Sequence, residues 1–499
     1  MKNWPTPHAV WVILLLGLIL RLPLLNGSFW MDEAAQALES ARPFSQQLMI
    51  AKDFQPPLMH LIVHFSLYIS SEEWWLRTVA ALLPGLITIW GTYQIGKVLV
   101  SRTTGIIASL LLATSSFHIF FSQELRPYSL PTMFAIVSWL LILKIEKNQS
   151  KNTHTLGYFL LYTGCTILGL YASYLYPFLL VSQIAYIFFY RRLQVHQFLS
   201  TWLVSALSFS PWLPAFYGQL RMGGEFQKQL PGWVSVVSFD HIKSIVMVAG
   251  KFIFGVADLE VNLWYGSLTL LLLGLVVGSF YSSIKSTSIR QIARHLKKNR
   301  QLVLLLTWLI VPFLTAWLVS FWVPVVQPKR VLYLLPVFYV LVGWLGESKH
   351  LLARALVTVL LLINLGSTWQ YFSQPRLQRE DWRSLHTIIA ERYPISETLI
   401  VFSFDEPFAP WRWYDQGTYE TLTTGQLYIK NVPNLTEKLE VINNYRYIVV
   451  FDYLRDLTDP DDELIKEIKT FGYEEADLID QPNIGFVRIY ARKHYAYRY

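Results

Sequence analysis

Acidic residues are scarce in the first 369 positions of this chain, which hold only 13 Asp and Glu. Two of them stand together in Trp30-Met31-Asp32-Glu33, directly after the first apolar run. A third, Glu124, lies in Ser122-Gln123-Glu124-Leu125-Arg126-Pro127-Tyr128 at the far end of the third run. If these runs cross a bilayer, both motifs emerge on the same, outer face. Ionisable groups at the mouth of a membrane bundle are expensive to keep there and point to function. An acidic pair beside an aromatic ring can act as general base toward a hydroxyl nucleophile, or bind a divalent metal. The alternative for Asp32 is structural. Ala34-Ala35-Gln36-Ala37-Leu38 follows it as a good helix start, and acids favour helix N-termini.

Glu124 and Arg126 form the second candidate. An acid and a guanidinium facing one cavity can bind a phosphate group, since arginine offers two parallel donors. Pro127 gives the following span an abrupt start that would fix such a geometry. The competing reading is a surface ion pair of little energetic value, or Glu124 as a cap. A third candidate is Gln327-Pro328-Lys329-Arg330-Val331-Leu332-Tyr333, which places two cations on the outer side, against the positive-inside trend. They either bind a substrate phosphate or snorkel to lipid headgroups. His60 and His64 share one helical face and could ligate zinc, but no acid converges with them and packing is the simpler reading. The many Tyr and Trp near span ends, Trp212 among them, fit interfacial belts.

The elements that must position these groups are membrane helices. The 499 residues are 53% hydrophobic and 15% charged, with a mean hydropathy of +0.34. Apolar runs long enough to cross a bilayer, about 20 residues each, recur to about residue 367. The pattern gives about eleven spans, near 9–25, 75–95, 104–121, 128–144, 156–172, 174–190, 199–217, 262–280, 302–322, 331–346 and 351–367. The first reads as an uncleaved span rather than a signal peptide, because it has no small-residue cleavage site and Arg21 interrupts its end. With the N-terminus in the cytoplasm, every inner loop is basic, culminating in Lys285, Arg290, Arg294, Lys297, Lys298 and Arg300.

Residues 1–369 carry 27 Lys/Arg against 13 Asp/Glu, and residues 370–499 carry 15 against 21. This basic excess matches membrane topology and does not signal nucleic acid. Cys165 is the single cysteine, which excludes a disulfide framework and a metal–thiolate site. The expected architecture is an all-α polytopic bundle over 1–369 with outer loops at 26–73 and 218–260. A small extracytoplasmic α/β domain follows over 370–499. In it, 397–404 and 445–453 read as buried strands, 461–470 as a charged helix and 485–491 as a closing strand. In the loops, Gly223-Gly224 and Pro231-Gly232 read as turns, and Gln55-Pro56-Pro57 as a helix breaker. No nucleotide-binding loop is present, so an ATP-driven pump is disfavoured.

The three outer motifs, in this order, resemble the polytopic glycosyltransferases of the GT-C fold. The resemblance is to the protein O-mannosyltransferases and the bacterial aminoarabinose transferases of lipid A. It is carried by Asp32-Glu33, Glu124-Leu125-Arg126-Pro127-Tyr128, Leu170-Tyr171-Ala172-Ser173-Tyr174, Pro211-Trp212-Leu213-Pro214 and Arg330-Val331-Leu332-Tyr333-Leu334-Leu335-Pro336. Asp381-Trp382-Arg383 also looks like related bacterial members. The chain departs from the family at Ser173, where a His is common, and at Val331, where the family often has Tyr.

The resemblance implies transfer of a sugar from a polyprenyl-phosphate donor to an acceptor hydroxyl on the outer face, with inversion. Asp32 would be the base, and Glu33 and Glu124 would complete the catalytic acids. Arg126, Lys329 and Arg330 would hold the donor phosphate, and Tyr128, Tyr171, Tyr174 and Tyr333 would line the substrate pocket. The acceptor could be a protein, a lipid or a polysaccharide, and the setting a bacterial inner membrane. No cofactor is required; a divalent metal stays open. The alternative is a transporter or flippase for a lipid-linked glycan, although transporters tend to carry internal repeats and mid-membrane polar sites.

Overall fold

The computed structural model describes residues 8–492 apart from 50–53, 149–154, 191–194, 231, 233–239, 285–298 and 349. Pro231 and most of the inner-loop cations, including Lys151, Arg191, Arg192, Lys285, Arg290, Arg294, Lys297, Lys298 and Lys349, therefore lie outside the described residues. The chain packs as two units. One comprises Met1–Leu25, Gln47–Tyr217 and Ser238–Ser373; the other comprises Asn26–Gln46, Gly218–Val237 and Gln374–Tyr499.

The first unit is helical because a bilayer core offers no water to satisfy backbone groups, and a helix satisfies them within itself. Each of the eleven expected runs contains helix. Among the described residues, five helices are long and apolar enough to cross a membrane: Glu73–Leu99, Ser129–Lys147, Thr155–Ala172, Arg300–Val319 and Leu351–Ser373. Among the shorter apolar helices are His8–Ile19, Leu58–Leu67, Arg102–Thr114, Tyr176–Tyr190 and Leu332–Leu345. Two expected runs are interrupted. The run at 104–121 breaks between Arg102–Thr114 and Ser116–Phe121. The run at 199–217 breaks at Ser210–Trp212, where Pro211 removes a backbone donor. Gln55-Pro56-Pro57 ends directly before helix Leu58–Leu67, as a breaker should. The Gly223-Gly224 turn expected from sequence is absent: both residues lie inside helix Leu213–Gln229. Glycine tolerates helix at a cost of about 1 kcal/mol against alanine, which the surrounding helix formers outweigh.

Helix Leu335–Leu345 is buried almost all round. Small residues let its neighbours approach closely. A Cβ on Gly96 would lie 2.7 Å from Gly105 Cα, one on Gly105 would lie 2.5 Å from the Tyr93 carbonyl oxygen, and one on Gly343 would lie 2.8 Å from the Thr104 carbonyl oxygen. Glycines thus bring helices Leu83–Leu99, Arg102–Thr114 and Leu335–Leu345 to backbone contact, the packing mode available where lipid removes the hydrophobic drive between helices.

The second unit contains a five-stranded sheet of β1 (Thr398–Phe402), β2 (Glu420–Thr423), β3 (Tyr447–Phe451), β4 (Tyr473–Gln481) and β5 (Gly485–Arg492), in the order β2-β1-β3-β5-β4. β1 runs parallel to β2 and β3, and β5 runs antiparallel to β3 and β4. β1 and β3 are buried at every position because both faces are covered. Ile400, Phe402, Val449 and Phe451 pack with Trp382, Leu385, Ile389 and Trp411 on one face. Leu399, Val401, Ile448 and Val450 pack with Leu464, Ile468 and Ile442 on the other. The two expected inner strands, the charged helix (Glu463–Thr470) and the closing strand are all present. β2 and β4 were not expected.

The glycine contacts make a test. Gly105→Val must push the side chain into the Tyr93 carbonyl, and overpacking of this kind costs about 1–3 kcal/mol or more. Gly164 has nothing within 4 Å of an added Cβ, so Gly164→Ala is expected to leave stability unchanged or raise it by up to about 1 kcal/mol. Thermal unfolding of the detergent-solubilised protein distinguishes the two.

Candidate functional site

The candidate residues fall into two groups, one in each unit. In the second unit, Asp32 occupies the first turn of helix Met31–Ser40 and is half-exposed. The helix start expected there is present, two residues earlier than a cap at Asp32 would place it. The capping bond is not made by Asp32, whose carboxylate has no hydrogen bond or ion pair among the described residues. Trp30 takes the cap position with extended backbone and offers no side-chain acceptor. Glu33 differs from its neighbour: it is fully buried, 3.7 Å from Arg379 Nε.

The N-terminus of this helix is served instead by Glu380. Its Oε2 accepts from the Met31 backbone N–H at 3.3 Å and from Trp382 Nε1 at 2.6 Å, and its Oε1 accepts from the Tyr453 hydroxyl at 2.8 Å. Burial pushes the Glu380 carboxyl up to about 7, opposed by the hydrogen bonds from Trp382, Tyr453 and Met31, with a smaller upward push from the Asp32 charge. The preceding residues are fastened to the same unit. Phe29 N and Ser28 Oγ donate to the Tyr414 hydroxyl at 2.7 and 3.2 Å, and Arg383 N donates to Ser28 Oγ at 3.1 Å. The Phe29 ring lies 5.6 Å from that of Trp413, and helix Met31–Ser40 packs on helix Ala409–Asp415. Asp381 caps helix Trp382–Arg392 by accepting from Ser384 N at 3.2 Å.

The other group belongs to the first unit. Glu124 is buried, and Arg126 and Tyr128 are half-buried, in the turn between helices Ser116–Phe121 and Ser129–Asn148. A polar network fixes this turn. The buried Arg21 guanidinium donates to the carbonyls of Gly17 (2.8 Å) and Ala113 (3.1 Å) and lies 2.6 Å from His118 Nδ1. Gln123 Nε2 donates to the Arg21 carbonyl at 2.9 Å, and Gln123 Oε1 accepts from the Tyr371 hydroxyl at 3.0 Å. Beside it, Lys329 Nζ sits 5.5 Å from the centroid of the Tyr128 ring, a cation–π distance. Arg330 donates to the Pro324 carbonyl at 2.7 Å. Tyr333 is buried, and its hydroxyl has no partner among the described residues.

Tyr128 thus joins the segment of Glu124 and Arg126 to that of Lys329 and Arg330. Tyr171 and Tyr174 make their polar contacts elsewhere: the Tyr171 hydroxyl donates to the Ser208 carbonyl at 2.8 Å, and Tyr174 accepts from Trp212 Nε1 at 2.8 Å. His60 and His64 do not converge on a common point; His60 lies 2.9 Å from Gln55 Nε2, and His64 lies 3.3 Å from the Tyr68 hydroxyl. No group of three or more His, Cys, Asp or Glu side chains converges among the described residues, so no step is derived through a metal.

Sequence reasoning missed the supporting residues. Arg21 was visible as a charge in an apolar run, a pattern that signals function or a polar network. Glu380 gave no signal, since its role depends on a contact across 349 positions.

The Glu380 carboxyl sets a stability dependence on pH. Between its ordinary value of 4.5 and about 7, the folded chain holds a proton that the unfolded chain releases. This group's favourable contribution is therefore full below about pH 4.5 and lost as the pH rises through about 7, a difference on the order of 3 kcal/mol. Glu380→Gln is expected to flatten that decline, measured as the change in unfolding temperature across the interval in variant against wild type.

Residues 54–215 match the family model described as dolichyl-phosphate-mannose-protein mannosyltransferase. No curated protein sequence matches the chain. Among solved structures, the chain is similar to ArnT from Cupriavidus metallidurans bound to undecaprenyl phosphate, with a TM-score of 0.57 at 10% identity over 98% of both chains. It is also similar to the oligosaccharyltransferase AglB from Archaeoglobus fulgidus. With an inhibitory peptide and a dolichol-phosphate, that structure matches with a TM-score of 0.52 at 12% identity, over 99% of this chain and 74% of that one. With zinc and sulfate, it matches with a TM-score of 0.52 at 14% identity, over 97% and 73%. The chain is thus a multi-pass membrane protein with the GT-C glycosyltransferase fold, and within it residues 54–215 are similar to the mannosyltransferase family model.

Proposed function

We propose that this protein transfers a sugar from a polyprenyl-phosphate carrier to an acceptor hydroxyl, with inversion at the anomeric carbon. The observation that carries the reading is the contrast among the acids of the Asp32 segment. Glu33 and Glu380 are held by protein partners, whereas Asp32 is half-exposed and has none among the described residues. A carboxylate kept unpartnered at a helix N-terminus is free to accept a proton. The similarity to ArnT and AglB, whose structures hold undecaprenyl phosphate and a dolichol-phosphate, supports a lipid-phosphate donor.

In this reading the acceptor oxygen attacks the anomeric carbon while its proton passes to Asp32. The bond from that carbon to the phosphate oxygen breaks, and polyprenyl phosphate leaves with the added charge. Arg126, Lys329 and Arg330 bind the donor phosphate, and stabilising that departing charge is the larger catalytic contribution. The Tyr333 hydroxyl, buried without a partner among the described residues, suits a hydrogen bond to substrate, because an unmade bond costs about 1–3 kcal/mol. Tyr128, Tyr171 and Tyr174 line the pocket, and Glu33 and Glu124 supply its remaining acids. A divalent ion is compatible with this scheme, and zinc accompanies one AglB structure. The basic loops support eleven spans over 1–369, with the N-terminus in the cytoplasm of a bacterial inner membrane and 370–499 outside.

The test uses purified protein in detergent with a panel of synthetic polyprenyl-phosphate hexoses and pentoses, following release of free polyprenyl phosphate. Asp32→Asn is expected to cut turnover by about 10²–10⁴-fold without loss of donor binding. Arg126→Ala and Lys329→Ala should each raise the donor KM about tenfold or more. Donor that binds wild type but is recovered unchanged with every acceptor would favour a transporter. Turnover by Asp32→Asn equal to wild type would remove Asp32 from the mechanism.

A further inference from the structure

Helix Met31–Ser40 is built into the second unit rather than into the membrane helices from which its chain emerges. Contact packing groups Asn26–Gln46 with Gln374–Tyr499. Three attachments fix the segment. The Tyr414 hydroxyl accepts from Phe29 N and Ser28 Oγ, Arg383 N donates to Ser28 Oγ, and Glu380 accepts from Met31 N. The last reaches the first residue of the helix, beside Asp32, and adds to the Arg379–Glu33 ion pair and the packing on helix Ala409–Asp415.

A helix N-terminus leaves four N–H groups without intrahelical partners. Trp30 supplies no side-chain acceptor, so Glu380 does what a capping residue ordinarily does, from the start of a different helix. Its two oxygens are held from both sides, Oε2 by Trp382 Nε1 and Oε1 by the Tyr453 hydroxyl. Tyr453 lies two residues beyond β3, and its ring stands 5.3 Å from both Trp382 and Phe408, packed against the core of the domain. The carboxylate is therefore located by the sheet and passes that location to Met31. The charged groups near it are Asp32 on the helix and Arg379 on its own segment, the latter facing Glu33.

We propose that Glu380, fixed by Tyr453 and Trp382, is the positioning residue for Asp32, so that the α/β fold of the second unit mounts the proposed base. The proposal rests on Asp32 being the base. It assigns Glu380 no contact with substrate. A first-turn carboxylate whose helix frays loses its direction before the protein loses its fold, and a misplacement of about 1 Å can cost about 10²-fold in rate.

The experiment compares Glu380→Ala, Glu380→Gln and Asp32→Asn in the full-length protein. Hydrogen–deuterium exchange is followed over residues 28–40, alongside release of polyprenyl phosphate from the same synthetic donors. Glutamine keeps an acceptor for Met31 N–H and Trp382 Nε1 and can donate to Tyr453, whereas alanine removes all three bonds. Glu380→Ala should raise exchange at 31–34 and lower kcat about 10- to 100-fold with the donor KM unchanged. Glu380→Gln should restore both. Unchanged exchange at 31–34 in Glu380→Ala would overturn the proposal, as would faster exchange with kcat intact. An equal loss in the alanine and glutamine variants would also overturn it, because the charge rather than the position would then matter. Should Asp32→Asn turn over normally, the reading of Asp32 fails separately, while the exchange result still reports whether Glu380 holds the helix.

Discussion

A charge within an apolar span must find its acceptors inside the protein, and the first unit is arranged around that constraint at Arg21. Its guanidinium is fully buried and reaches the carbonyls of Gly17 and Ala113 and the ring nitrogen of His118. For His118 Nδ1 to accept from a guanidinium, the neutral ring must carry its proton on Nε2 and none on Nδ1. Removing Arg21 would leave several buried acceptors unmade, each worth about 1–3 kcal/mol. The same network holds Gln123, and through Gln123 it reaches Tyr371. The turn that begins at Gln123 carries Glu124, Arg126 and Tyr128. The rigidity of that turn follows from the charge buried beneath it.

The two groups of candidate residues are thus fixed by different means. The cationic half depends on polar bonds among membrane helices, with Tyr128 placed against both Phe121 and Lys329. The acidic half depends on the α/β fold, whose aromatic core sets Tyr453 and Trp382 and hence Glu380. Such a division has a thermodynamic consequence. In the proposed reading, unfolding the α/β fold removes the hydrogen bonds that hold the start of helix Met31–Ser40, and with them the mounting of the proposed base.

Much of this was legible in the sequence where one physical signal dominates. Apolar runs marked helices, and Pro56-Pro57 marked where a helix starts, because proline lacks the N–H that a helix needs; the break at Pro211 falls within a run read as continuous. β1 and β3 were legible because both faces are buried, which makes them continuous apolar runs. β2 and β4 were not, since each is an edge strand: β4 reads Tyr-Glu-Glu-Ala-Asp-Leu-Ile-Asp-Gln, mostly exposed, with an irregular register at Glu475 and Asp477. Gly223-Gly224 misled because glycine permits a turn without requiring one. The chemistry-bearing residues stood out as charges out of place. Their supports did not, because Glu380 sits in a region where acids are common.

The placement of Asp32 also explains why a sequence reading leaves its role open between cap and base. Both roles favour a short acid at a helix start, since the positive end of the helix dipole attracts either. The two differ only in whether the side chain turns back to the backbone or stays clear of it. Here a second carboxylate, from Glu380, takes the capping position, and Asp32 makes no bond among the described residues. A protein that needed only a stable helix start would have no use for both. Glu380 carries a raised proton affinity beside an acid that stays unpartnered, an expense that a purely structural cap would avoid by using serine or asparagine. In the proposed reading the pairing separates the two tasks, with one acid holding the helix and the other left available for proton transfer.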